Sequence, residues 1–127
     1  MTSSQPGGGV LDLGQISELL ELDPDGSAGF MAAMVNSYDA TVAQMLPVIR
    51  AAIEAADAHA LEPAAHELKG VSANLGVRCV HRGATGLVAL ARSGTVVGGE
   101  AILEEIEGGL GPGRAALRTL LARLENS

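Results

Sequence analysis

The chain has 127 residues, enough for one domain with a buried core but not for an enzyme joined to a regulatory domain. Hydrophobic residues make up 47% of it, yet Phe30 and Tyr38 are its aromatics, so the core must be Leu, Ile, Val, Met and Ala, a mixture that favours closely packed helices over sheets. The net charge of −7 argues against nucleic acid, whose counterions only a basic surface displaces, and against an anionic membrane surface.

Residues 1–9 are Ser-, Gln-, Pro- and Gly-rich and read as a flexible tail, leaving a helical domain over residues 10–127. The start has neither a basic nor an apolar region, so no signal peptide is expected. "LDLGQISELLEL" then predicts a short helix, with Asp12 as cap, Gln15 at the third helical position and Leu11 stapled onto Ile16. A break follows at "DPDGS", with Ser27 as the next N-cap.

Met31, Met34, Val35, Tyr38, Val42, Met45, Ile49 and Ile53 recur every three or four residues, one apolar stripe on a long helix. Pro47 lies inside it and should bend it, but the stripe keeps its phase, so one helix is predicted. Asp57 marks the next break. Leu61, Ala65, Leu68, Ser72 and Leu75 form a seam spaced four and three apart, and Gly76 is placed to cap its C-terminus. Val80, Ala84, Leu87 and Ala91 form another stripe, ending at "RSGTVVGG". The last runs through Leu103, Ile106, Leu110, Leu117, Leu120, Leu121 and Leu124, with "GGLGPG" in its middle, which leaves continuity at Pro112 open. The expected fold is all-α: an antiparallel four-helix bundle with a short additional N-terminal helix covering one end.

His66 stands one residue off the seam. It shares a stripe with Glu62, Lys69, Gly70, Ala73 and Val77, which flanks the core at the solvent boundary. A glycine inside a helix costs about 0.8–1.0 kcal/mol relative to alanine. Gly70 is not needed as a stop, because Ser72 and Leu75 continue the seam and Gly76 ends it. A missing side chain beside an exposed imidazole points to close approach by another molecule. Imidazole with a pKa near 6.5 is partly neutral and nucleophilic around neutral pH. Lys69 puts an ammonium one turn away, and the combination suits phosphoryl transfer, where catalysis is mostly positioning and charge neutralisation.

"AHELKGVSANLG" resembles the signature of histidine-containing phosphotransfer domains, roughly A-H-x-L-K-G-x-S-x-x-L-G, with Ala65, His66, Leu68, Lys69, Gly70, Ser72, Leu75 and Gly76 in place. The resemblance extends from residue 10 to 125. Upstream it takes in the long Met-rich helix; downstream, "GLVALARSG" looks like the end of the family's next helix, with Leu87, Arg92 and Gly94 in register. Val88 departs from it, standing where the family usually has glutamate, and Pro47 and Pro112 interrupt helices that are normally smooth.

The resemblance implies a phosphoryl carrier that neither binds nor hydrolyses ATP. His66 would accept a phosphoryl group on Nε2 from a receiver-domain phospho-aspartate, or from a hybrid sensor kinase, and relay it to another response-regulator receiver. Lys69 would steady the phosphoryl oxygens and Gly70 would admit the partner. Glu62, Ala73, Asn74, Val77 and Arg92 are candidates for the partner-facing rim. Ser72, Leu75 and Gly76 belong to the structural motif, Ser72 bonding a backbone carbonyl one turn back. No cofactor of its own is implied; Mg²⁺ is expected on the receiver. A monomeric cytoplasmic protein is expected, with no nucleic-acid or membrane partner.

Blander readings account for other residues. His59 and His81 read as surface rings, Met31, Met34 and Met45 as core filling, and Glu104, Glu105 and Glu107 as a solvated face. The single cysteine, Cys79, fits a reducing compartment and a helix start. A zinc site from His66, Cys79 and His81 lacks any paired-ligand spacing, so no metal is expected. The dimerisation domain of a sensor histidine kinase also begins its phosphoacceptor box with His-Glu-Leu and a basic residue. Gly70-Val71 replaces its Thr-Pro, however, and no room remains for an ATP-binding domain. A helical adaptor without the chemistry is the third alternative.

Overall fold

The apolar stripes form four helices: α1, Ser27–Glu54; α2, Ala58–Leu75; α3, Arg78–Arg92; and α4, Gly99–Glu125. The computed structural model describes residue 11 and residues 27–75 and 77–125. The expected N-terminal tail and short first helix lie outside them, except Leu11. That residue is 3% exposed and makes an isolated antiparallel bridge with Val77. Among the described residues no helix is long and apolar enough to cross a membrane.

Each helix packs on its neighbours in sequence, and α4 closes the ring against α1. The cross-helix pairs fix the directions. Arg50 of α1 pairs with Glu107 of α4, while Asp39 meets Arg114 at 3.4 Å, so the later residue of one helix faces the earlier residue of the other. The result is an antiparallel four-helix bundle, the arrangement short connections impose. Every seam residue of α2 points inward: Leu61, Ala65, Leu68, Ser72 and Leu75 are all 0% exposed. The α1 stripe is likewise buried, with Met34 and Met45 packed at its edge.

Prolines interrupt less than their chemistry suggests. α1 continues through Pro47 and α4 through Pro112, and α2 contains Pro63 in its second turn. All three are exposed, and tertiary packing holds the stripes in phase across the missing N–H groups. Two of the four glycines of "GGLGPG" have a packing reason, while a Cβ on Gly108 or Gly111 would meet nothing within 4 Å among the described residues. A Cβ on Gly109 would lie 2.6 Å from Cys79 Sγ, and one on Gly113 would lie 3.0 Å from Val77. Gly83 of α3 similarly makes room for Ile106 of α4. Small residues here let α3 and α4 approach closely.

Helix endings repeat one device. At the end of α1, Asp57 N–H donates to the Ala52 carbonyl at 2.8 Å and Ala56 N–H to Ile53 at 3.1 Å. This is the paired bonding of a Schellman ending, whose turn residue must take positive φ. α3 ends the same way through Gly94, with φ +89°, and Val77 N–H returns to Ser72 at 3.0 Å past the end of α2. In α1 the turn residue is Ala56, at φ 55°, where a Cβ is strained. Ala56→Gly is therefore expected to raise unfolding stability by about 1 kcal/mol, measured by urea denaturation. A decrease would show that the loop tolerates alanine without strain. Asp57 then caps α2, its Oδ1 accepting from Ala60 N–H at 3.0 Å.

Tyr38 is 2% exposed, and its hydroxyl has no hydrogen-bond partner among the described residues. Burial, reinforced by the neighbouring Asp39 carboxylate and opposed by Arg114, pushes its pKa up to about 12. The folded chain thus holds this proton after the unfolded chain has lost it. Stability from Tyr38 is fully present below pH 10 and is lost as pH rises toward 12. Tyr38→Phe is expected to lose less stability than wild type over that window, and to gain about 1 kcal/mol at neutral pH by removing an unpaired buried hydroxyl. Parallel unfolding curves at pH 8 and 11 check both statements.

The site around His66

The exposed face of α2 carries the candidate chemistry. Because the seam is buried, the residues that directly follow its members, Glu62, His66, Lys69 and Ala73, stand at or near the surface. His66 is exposed, Lys69 is half-buried one turn on, and Gly70 is exposed beside them. Neither His66 nor Lys69 has a side-chain partner among the described residues. A Cβ placed on Gly70 would meet nothing within 4 Å among those residues, so nothing in the bundle requires glycine there. Gly70 thus carries the propensity cost of glycine with open space beside it among the described residues.

Ser72 anchors the floor of this face. It is 0% exposed, and its hydroxyl donates to the Leu68 carbonyl at 2.8 Å, with the Lys69 carbonyl at 3.1 Å. This is the back-bonding expected of a serine inside a helix, and it satisfies a hydroxyl buried among leucines. Leu75 completes the seam, and Gly76 lies outside the described residues.

The candidate rim divides. Glu62, half-buried, stands one turn before His66, and Ala73 and Asn74 extend the face beyond Gly70. α3 brings Arg92 to the same side, where its Nε donates to Glu62 Oε2 at 2.9 Å. Each of these residues is legible in sequence, but their pairing is not, because it depends on the alignment of α2 against α3. Val77 does not belong with them. Expected on the exposed stripe, it is 0% exposed, because the helix ends at Leu75 and the chain turns inward to bridge Leu11 and pack against Gly113. Val88, at the position the family pattern gives to glutamate, is 3% exposed and adds apolar surface to the core.

His59 is exposed at the start of α2 and His81 half-buried on α3. Cys79 donates to the Glu105 carbonyl at 3.3 Å. Among the described residues, no three His, Cys, Asp or Glu side chains form a group able to hold a metal ion. Among the described residues, the His66 face offers an exposed imidazole, an ammonium without a side-chain partner and open space over Gly70.

Comparisons with known proteins agree with this chemistry. The Hpt domain family model matches residues 33–127. A search of curated proteins found no match. Among solved structures, the chain is similar to histidine-containing phosphotransfer protein B (HptB) from Pseudomonas aeruginosa PAO1. The two are 26% identical, with a TM-score of 0.74, over 89% of this chain and 95% of that one. With His66 and Gly70 of the motif at the surface and its apolar positions in the core of a matching bundle, the chain belongs to the Hpt domain family, the histidine phosphocarriers of two-component phosphorelays.

Proposed function

We propose that His66 is the phosphoacceptor, taking a phosphoryl group from a receiver-domain phospho-aspartate or a hybrid kinase and passing it to a second receiver. The observation that carries this is the exposed His66 flanked by a Lys69 without a side-chain partner and by open space over Gly70, both among the described residues. The Nε2 lone pair attacks phosphorus in line with the acyl phosphate. The N–P bond forms as the P–O bond breaks, and the aspartate carboxylate leaves with the bonding electrons. The proton on Nδ1 stays on the ring or passes to water. Lys69 neutralises charge on the phosphoryl oxygens, and the partner receiver supplies the Mg²⁺. Return transfer to a second receiver reverses the same step, so the chain stores a phosphoryl group without ATP chemistry of its own.

The reading extends to a single helical domain over residues 10–127 that works as a cytoplasmic monomer. The four helices bury their apolar stripes against one another, and the charge of −7 disfavours nucleic acid and anionic membranes. The test is incubation with a phosphorylated receiver domain. Acid-labile, base-stable label on this chain is the expected result; no label with any of several receivers would remove the carrier reading.

A further inference from the structure

We infer that Arg92 is a positioning residue that acts through Glu62, cancelling a carboxylate that would otherwise repel the phosphoryl group on its way to His66. The inference rests on the carrier reading above. Glu62 stands four residues before His66 on α2, which places the two side chains one turn apart on the same face. An anion there opposes the approach of a phosphoryl group, which carries negative charge throughout the transfer. It also offsets Lys69, one turn to the other side. Arg92 comes from a different helix and closes on Glu62 at 2.9 Å through Nε. The guanidinium lies 61% exposed and the carboxylate 41% exposed. A pair so open to water does little to hold the fold. Its effect is local: with Arg92 cancelling Glu62, Lys69 is left to balance Glu67 around the ring, where without Arg92 the two carboxylates would outweigh the single ammonium.

This assignment differs from one in which Arg92 touches the partner. If Arg92 acts by screening, removing Glu62 makes Arg92 dispensable. If it acts by contact, it stays necessary whatever occupies position 62. A double-mutant cycle separates the two.

The experiment measures transfer from one phosphorylated receiver to wild type, Arg92→Ala, Glu62→Gln and the double variant, with thermal unfolding confirming that each folds. Arg92→Ala is expected to lower kcat/KM about fivefold, the effect of one exposed unit charge on a phosphoryl dianion a helical turn away. The double variant is expected to recover to wild-type rate or above. Ionic strength gives a second readout: added salt should narrow the gap between Arg92→Ala and wild type, because it screens the bared Glu62 carboxylate; a gap that salt leaves unchanged counts against screening. A double variant as slow as Arg92→Ala, or an Arg92→Ala variant equal to wild type, would overturn the inference while leaving the carrier reading intact. A wild type that takes no label overturns the carrier reading, and the inference with it.

Discussion

His66→Gln is expected to abolish phosphoryl uptake completely while leaving the bundle folded. Glutamine keeps roughly the reach and polarity of the imidazole, but its amide nitrogen has no available lone pair to attack phosphorus. The side chain it replaces is exposed and has no partner among the described residues, so no packing or hydrogen bond is lost with it. Glutamine also has a higher helix propensity than histidine, and the change in unfolding free energy should stay within about 0.5 kcal/mol. Receiver binding measured by calorimetry should persist, because the surface around position 66 is unchanged. The same assay separates the carrier from a helical adaptor, in which wild type and variant would bind alike and neither would take label. Label surviving on His66→Gln would move the acceptor to another histidine. Exposed His59, in the first turn of α2, would then be the first to replace.

The extent to which the sequence revealed this site follows from where its information is stored. Seam positions on α2 are set by period alone. Every one of Leu61, Ala65, Leu68, Ser72 and Leu75 is buried, so the exposure of His66 follows from its offset by one residue. Val77 fails because the period is valid only while the helix lasts; two residues past Leu75 the same arithmetic points a side chain into the core. Helix endings show the same limit. Gly94 advertises its turn, whereas Ala56 adopts positive φ with no sequence signal, held there by the two backbone bonds of its Schellman ending. Pairings between helices were hidden altogether. Arg92 and Glu62 are thirty positions apart, and only the packing of α3 on α2 brings them together. The glycine-rich stretch of the last helix leaves a break possible on sequence alone, yet the helix continues through it, and Gly109 and Gly113 are the surface on which Cys79 and Val77 sit. Glycine in a helix thus has two opposite meanings here, set by what lies over it.

Gly70 is the case that discriminates between those meanings, and its substitution should separate stability from function. Gly83 and Gly109 have neighbours within 3 Å of where a Cβ would go, so side chains there would strain the bundle. Over Gly70 there is open space among the described residues. Gly70→Ala should therefore raise unfolding stability by about 0.8–1.0 kcal/mol, the full helix-propensity difference. Gly70→Leu should also be stabilising, since leucine has nearly the propensity of alanine and its Cβ meets no atom within 4 Å among the described residues. Transfer should move the other way. A leucine beside His66 holds the incoming active site away from Nε2, and displacement of the reacting atoms by about 1 Å costs on the order of 100-fold. Gly70→Ala, with one added methyl, should fall between wild type and Gly70→Leu. Urea unfolding and single-turnover phosphotransfer on the same three proteins give both quantities. More stable but slower variants, ordered by side-chain size, are the result expected if the vacancy exists for a partner. Stable variants that transfer at the wild-type rate would show that the partner approaches from elsewhere on the His66 face, and Gly70 would lose its role.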